Sequence, residues 1–141
     1  LHTDSMGGKS EKPSNVALHV ELGRGDVDKA FAESDVIVER EFKTAIVHQG
    51  YIEPHVSTAS WSTDGRLTIW TATQGAFAVR AATCGILQLP ESAVRVIPTE
   101  IGGGFGAKGV TYLAPVSAVL AKKAGRPVKI AMSRKTCLYL R

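Results

Sequence analysis

The stretch IGGGFGAKG, residues 101–109, has glycine at four of the seven positions from Gly102 to Lys108. Glycine lacks a Cβ atom, so its backbone can adopt positive φ angles and its N–H group can approach a ligand closely. The apolar run AVRVI (residues 93–97) precedes the stretch and predicts a strand. Loops at strand ends often form ligand crevices in sheet proteins. The sequence therefore predicts a binding loop here, and a phosphate is the first ligand to test.

Two known phosphate-binding patterns can be compared with this loop. The P-loop pattern G-x-x-x-x-G-K-[ST] fails twice, because Ala107 precedes Lys108 and Gly109 follows it. The dinucleotide pattern G-x-G-x-x-A is met by Gly102, Gly104 and Ala107, but it also needs an acidic residue about 20 positions later. The last third of the chain contains no Asp or Glu. The loop therefore needs another ligand or a structural explanation.

Hydrophobic periodicity outward from the loop predicts a sheet with helices. Five β-branched or alternating runs predict strands, at residues 36–42, 55–61, 66–73, 93–97 and 128–132. Asp64-Gly65 predicts a hairpin turn. Helical patterns occur at residues 75–88 and 111–125, with a short turn around residues 26–35 and a further helix from residue 133. This order predicts an α+β fold, in which a mixed sheet carries two to three helices.

Helical spacing also predicts which side chains the two longer helices bury. The stripe of the first helix contains Phe77, Arg80 or Ala81, Cys84 and Leu87, and that of the second contains Leu113, Val116 and Leu120. Thr111 is the expected N-cap of the second helix, and Gly125 with Pro127 forms its stop signal.

Size and composition limit the class of protein. Of the 141 residues, 44% are hydrophobic and 21% are charged, as expected for one globular core. Residues 1–15 have the composition of a linker. The chain ends on an apolar, basic segment without a stop signal, so residues 16–141 are expected to be the N-terminal part of a longer domain. No run approaches the roughly 20 apolar residues of a membrane span and no secretory leader pattern is visible, so a cytoplasmic location is expected. Cys84 and Cys137 lie in apolar segments without C-x-x-C spacing, which predicts buried reduced thiols.

The positive charge is concentrated in the last third of the chain. Residues 1–100 carry nine basic and thirteen acidic side chains, whereas residues 101–141 carry eight basic and no acidic ones. A basic surface favours an anionic ligand, nucleic acid or an acidic surface of a larger molecule. No aromatic side chain is interleaved with the basic residues of segment 122–129, which argues against nucleic acid.

Two further groups of polar residues deserve comparison with known sites. Gln74 follows a predicted strand, where its amide can serve a ligand or simply lie in a surface turn. His48, Glu53 and His55 lie within HQGYIEPH, but their spacing matches no zinc pattern, and a strand would place the two histidines on opposite faces. The favoured interpretation is a bent sheet edge, with Glu53 bonded to backbone or to a neighbouring basic group.

Five segments of the chain, in this order and spacing, resemble one known family. They are GDVDKAFAESDVIVEREF, HQGYIEPH, WSTDGRLTIWTATQGAF, LPESAVRVIPTEIGGGFGAK and AGRPVKIAMSR. The family consists of the molybdenum-binding domains of xanthine dehydrogenases, aldehyde oxidases and carbon monoxide dehydrogenases. The resemblance runs from about Asn15 to the end, and its most specific parts are T-Q-x-x-F at residues 73–77 and G-G-G-F-G-x-K at residues 102–108.

This resemblance implies that the loop contributes to binding a molybdopterin cofactor with molybdenum, often the cytosine dinucleotide form in bacteria. Gln74 matches the family's glutamine that hydrogen-bonds an oxygen ligand of the metal. The positions that match the loop approaching the cofactor are Gly102, Gly103, Gly104, Phe105 and Gly106. No position matches a direct metal ligand or a catalytic residue, although Gln74 and Phe105 are expected near the metal's ligands.

The resemblance further implies oxidative hydroxylation of an aldehyde, an N-heterocycle or a related small molecule, or oxidation of carbon monoxide. Electrons would leave through 2Fe–2S clusters, commonly to FAD, on partner domains or subunits. Purine-oxidising members carry a glutamate directly after the loop lysine, where this chain has Gly109. The family's catalytic glutamate and the copper-binding cysteine loop lie downstream of the matched region.

The expectation is therefore a piece of a large subunit that supplies part of a cofactor site. Its partners would be the remainder of that subunit and the iron–sulfur and FAD components. The piece alone is expected to be inactive and to bind no cofactor. A non-catalytic scaffold or a nucleic-acid-binding module with the same fold is the alternative.

Overall fold

The computed structural model describes residues 2–5 and 8–139, which belong to two compact units, Leu1–Thr44 and Ala45–Arg141. The first unit contains the antiparallel strands β1 (His2–Ser5) and β2 (Gly8–Ser14) and the short helix α1 (Val27–Ala32). Asp26 caps this helix by accepting a hydrogen bond from the Lys29 N–H at 3.0 Å. The strand pair lies within the residues predicted to be a linker, and the domain boundary at residue 15 stays a prediction.

The prediction of a strand at residues 36–42 is wrong. The backbone there is irregular, and no described strand pairs with it. The side chains of Val36, Val38 and Phe42 are 78%, 72% and 88% exposed. A strand needs a neighbour that accepts and donates its backbone hydrogen bonds, and an alternating sequence does not by itself provide one.

The second unit is built on a mixed four-stranded sheet. Its strands are β3 (Val56–Trp61), β4 (Leu67–Thr71), β5 (Val94–Pro98) and β6 (Val128–Ala131), in the spatial order β5-β4-β3-β6. Strand β3 is antiparallel to β4 and β6, whereas β4 and β5 are parallel. The predicted hairpin turn is confirmed, with Gly65 at a φ of +83° between β3 and β4.

Three helices accompany this sheet, α2 (Ala76–Leu87), α3 (Leu113–Ala124) and α4 (Arg134–Tyr139). Helix α2 connects β4 to β5, as a parallel pair requires a long crossover. The predicted α+β fold with a mixed sheet is therefore confirmed. Within the described residues, no helix is long and apolar enough to cross a membrane.

Helix α3 buries small side chains instead of the predicted large ones. Ala114, Ala118 and Ala121 are at most 3% exposed, whereas Val116 and Leu120 are 49% and 43% exposed. Small side chains allow the helix to lie close against β3, its main neighbour. The N-cap is Tyr112 and not Thr111, while the predicted stop at Gly125 is confirmed by its φ of +63°.

For helix α2 the prediction is confirmed in part, because Cys84 is buried and Leu87 packs against the core. Phe77 is 79% exposed, and the buried positions are Val79, Thr83 and Cys84. Val79 and Cys84 join a core that includes Leu67, Ile69 and Val94 from the sheet. Cys84 and Cys137 are both buried and free, which confirms the prediction for the two thiols.

Candidate functional site

The glycine loop follows the carboxyl end of β5 and leads into a short 3-10 turn, Ala107–Gly109. Gly103, Phe105 and Gly106 have positive φ angles of +86°, +51° and +92°. This conformation is uncommon for a residue with a side chain, and the Phe105 side chain is 72% exposed. The loop therefore holds an aromatic ring at the surface beside its glycines.

Gln74, just beyond the end of β4, fastens the second half of this loop. Its Oε1 accepts hydrogen bonds from the N–H groups of Gly106 at 3.0 Å and Lys108 at 3.2 Å. Because both partners are donors, the atom between them must be the amide oxygen. The Nε2 group has no acceptor among the residues that the structure describes. It is therefore available to donate to a ligand.

Two of the glycines are required by the loop's own packing. A Cβ atom at Gly104 would lie 2.7 Å from Gln74 Oε1, and one at Gly102 would lie 2.7 Å from Glu53 Cβ. At Gly106, by contrast, a Cβ atom would meet nothing within 4 Å. The close approach that the glycines permit at residues 102 and 104 is thus to Glu53 and Gln74, which is a structural explanation of the kind that the sequence left open beside a ligand.

Glu53 and Lys108 form an ion pair beside the loop. Lys108 Nζ lies 2.6 Å from Glu53 Oε2, and the lysine side chain has no exposed area. The same oxygen accepts the Gly102 N–H at 2.7 Å, and the Glu53 N–H donates to the Gly102 carbonyl at 3.2 Å. Burial raises the pKa of Glu53, but the hydrogen bonds from Lys108 and Gly102 outweigh it and leave that pKa below its ordinary value. Glu53 is therefore an ionised group, and the predicted bonds to backbone and to a basic neighbour are confirmed.

Aromatic rings surround this ion pair. The Tyr51 ring lies 5.3 Å from Lys108 Nζ, 6.2 Å from the His48 ring and 5.4 Å from the His55 ring. His55 also contacts the ring of Tyr112 edge-on at 5.3 Å and is 6% exposed. Burial and then the positive charge of Lys108 lower the pKa of His55, so its ring is neutral.

The placement of these histidines differs from the expected one. Residues 45–55 are not a strand, so strand alternation does not separate His48 from His55, and both rings lie next to the ring of Tyr51. Among the described His, Cys, Asp and Glu side chains, no group of three could hold a metal ion.

The loop keeps unpaired hydrogen-bond donors at its centre. The N–H groups of Gly103, Gly104 and Phe105 have no acceptor in the described part of the chain, and Gly104 is buried. Buried N–H groups are nearly always paired in native structures, so the N–H of the buried Gly104 is a place for an acceptor from a ligand. The N–H groups of Gly103 and Phe105, which are less buried, flank it along the chain. Successive free amides next to the Gln74 amide suit the oxygen atoms of an anionic or oxo-bearing group.

The structure brings Gln74, Gly104 and Gly106 into direct contact and places Gly103 and Phe105 beside them. The cofactor-binding role of these residues stays a prediction. Sequence reasoning missed Lys108 as a buried residue, because a lone lysine in a glycine-rich loop is normally exposed. Its partner Glu53 lies 55 positions earlier in the chain. The sequence contains no local signal that these two residues meet, so it could not indicate that Lys108 is buried.

Comparison with known proteins gives consistent matches. A family model for the molybdopterin cofactor-binding domain matches residues 9–140. The large molybdopterin subunit of nicotinate dehydrogenase from Eubacterium barkeri is 34% identical over 122 residues, which cover 86% of this chain and 29% of that protein. The molybdenum-binding subunit of xanthine dehydrogenase from Escherichia coli O157:H7 is 34% identical over 124 residues, which cover 87% of this chain and 16% of that subunit.

Solved structures show the same fold. Reconstituted CO dehydrogenase from Oligotropha carboxidovorans aligns with a TM-score of 0.60 and 34% identity, over 76% of this chain and 14% of that one. The chain thus spans less than a third of the length of each relative.

Proposed function

This chain belongs to the family of molybdopterin cofactor-binding domains, as its resemblance predicted, and we propose that its glycine loop forms part of the cofactor site of a larger oxidoreductase subunit. The observation that carries the proposal is the group of unpaired donors, Gln74 Nε2 and the N–H groups of residues 103–105. These groups fit the oxygen atoms of a molybdenum cofactor, because neutral donors orient oxygen without adding a charge of their own.

The residues of the loop have distinct tasks in the proposed site. Gln74 donates through Nε2, while its Oε1 keeps the loop in place through Gly106 and Lys108. Gly106 leaves open space where a side chain would stand, and the exposed Phe105 ring offers an apolar surface beside it. The bound cofactor would supply two-electron redox chemistry. Their contribution is binding and orientation.

The reaction class and the partners follow from the resemblance and from the kinds of enzyme among the relatives. We propose that the full-length parent is a cytoplasmic enzyme that oxidises an aldehyde, an N-heterocycle or a related small molecule, or carbon monoxide. Its molybdopterin would have the cytosine dinucleotide form, and electrons would pass to 2Fe–2S and FAD components. Gly109 stands where purine-oxidising members carry a glutamate, which disfavours a purine substrate. The isolated chain would be inactive, because it spans less than a third of its relatives.

Metal and pterin analysis of the full-length parent tests the proposal. The parent is expressed in a host that makes the cofactor, and molybdenum is measured by elemental analysis and pterin by fluorescence after oxidation. We expect stoichiometric amounts of both. Gln74→Asn shortens the amide side chain and should lower both contents, whereas Gln88→Asn makes the same change at an exposed helix end where Asn is tolerated. Clean absence of both from a folded parent would overturn the proposal and favour a scaffold, or a nucleic-acid-binding module if DNA affinity falls steeply with salt.

A further inference from the structure

The charges of Glu53 and Lys108 are not explained by stability alone. The Lys108 side chain has no exposed area, whereas Glu53 keeps 33% of its side chain exposed. Removing an ammonium group from water is costly, and a buried ion pair is often no more stabilising than apolar side chains of the same size. A different advantage is needed to account for charges at this place.

The pair holds the glycine loop at its first and last residues. Glu53 Oε2 accepts the Gly102 N–H at 2.7 Å and the Lys108 ammonium at 2.6 Å. Gln74 Oε1 holds the loop between these points, at Gly106 and again at Lys108. Every one of these contacts leaves the central amides of the loop unpaired.

We infer that the Glu53–Lys108 ion pair is a positioning device, which fixes both ends of the loop so that the amides of Gly103, Gly104 and Phe105 are held ready for the cofactor. This inference rests on the proposed function of the loop. Neither charged residue needs to touch the cofactor. An ionised carboxylate suits this task, because its hydrogen bonds to N–H and ammonium donors are shorter and stronger than those of a neutral amide.

The test uses the full-length parent with matched variants. The double variant E53Q/K108M removes both charges, keeps similar volumes and leaves no unpaired buried charge. The control is E91Q, which removes the charge of another ion pair, Arg80–Glu91 at 2.7 Å, outside the loop. Three quantities are measured: the melting temperature, the hydrogen exchange of the Gly106 and Lys108 amides, and the molybdenum and pterin contents.

We expect the double variant to melt near the wild-type temperature while these two loop amides exchange about tenfold faster or more. Its molybdenum and pterin contents should fall severalfold, and the electron paramagnetic resonance spectrum of the remaining metal should change. E91Q should leave the loop exchange, the metal content and the spectrum as in the wild type. Wild-type loop exchange and cofactor content in a folded double variant would overturn the inference.

The single variants E53Q and K108M should differ in stability. E53Q leaves a fully buried ammonium without a counter-charge, whereas K108M leaves a carboxylate that water can reach, so E53Q should be the less stable. If the double variant does not fold, loop exchange is measured in E53D instead. Aspartate keeps the negative charge, but its side chain is too short to hold both Gly102 and Lys108. E53D with wild-type loop exchange would overturn the inference, and faster exchange would support it.

Failure of the proposed function would be seen separately. A folded wild-type parent without molybdenum or pterin would refute the cofactor site, yet the exchange of the Gly106 and Lys108 amides would still report whether the ion pair orders the loop. Equal loop exchange in that wild type and in the double variant would then overturn the positioning role as well.

Discussion

Gly104 contacts Gln74 at a distance that leaves no room for a side chain. A Cβ atom there would lie 2.7 Å from Gln74 Oε1 and 2.8 Å from its Cδ. Gly104→Ala should therefore displace the Gln74 amide and break its bonds to Gly106 and Lys108, at a cost of about 1–3 kcal/mol in the free energy of unfolding. Denaturant titration measures this cost. Gly109→Ala is the matched control, because a Cβ atom there meets nothing within 4 Å, and an equal loss in both variants would contradict the contact.

Two titratable residues near the loop predict that acid destabilises the second unit. The pKa of His55 is lowered from 6.5 in the folded state, so the unfolded chain takes up a proton first and stability falls as the pH drops below 6.5. The pKa of Glu53 is lowered from 4.5, so its contribution is present above 4.5 and is lost as the pH falls through the folded value. Both effects have the same sign.

Denaturation midpoints measured from about pH 7.5 down to about pH 2.5 check this expectation. His55→Phe should remove the decline that begins below 6.5, because phenylalanine fills the same apolar space between Tyr51 and Tyr112 and does not titrate. Glu53→Gln should flatten the decline at lower pH. A wild-type midpoint that stays constant over this range would show that neither group is linked to folding.

Helix α2 carries a glycine in its interior that no contact requires. Gly85 is exposed, and a Cβ atom there would meet nothing within 4 Å. Gly85→Ala should stabilise the unit by about 0.5–1 kcal/mol, because alanine loses less backbone entropy in a helix. The opposite sign is expected for Gly125→Ala, since Gly125 ends α3 at a φ of +63° that alanine adopts with strain. Thermal melting of both variants compares the two effects, and a destabilised Gly85→Ala would mean that α2 has a neighbour at this position.

The same elements show what the sequence could predict and why. Local signals located β3, β4 and the hairpin turn at Gly65, because alternation and turn residues act within a few positions. They did not identify the buried faces of α2 and α3, because burial depends on which neighbour a helix meets, and alanines suit a close approach to β3. The glycine loop was also recognisable from local sequence, whereas the role predicted for Gln74 came from the resemblance. The Glu53–Lys108 pair could not be predicted in this way, because it joins segments that are 55 positions apart.

At the scale of the whole molecule, many large apolar side chains of the described residues are exposed to solvent. In segment 36–42 of the first unit, Val36, Ile37, Val38 and Phe42 are between 58% and 88% exposed. Clusters of exposed apolar residues mark surfaces that another part of a protein covers. The chain covers 16% and 29% of two relatives, and we propose that the remainder of a longer subunit covers this segment.

Hydrogen exchange of the isolated chain and of the full-length parent tests whether this segment is covered. We expect the amides of residues 36–42 to exchange rapidly in the isolated chain, because no described strand pairs with them, and to be protected in the parent. The amides of β3 and β4 provide the internal control, since these strands pair with each other within the second unit and should be protected in both. The expectation would be contradicted if residues 36–42 exchanged equally rapidly in both proteins while β3 and β4 stayed protected. In that case the alternating apolar segment would form no backbone pairing in the parent either. The exposed segment would then have to be explained by side-chain contacts alone, which protect apolar groups from water without slowing amide exchange.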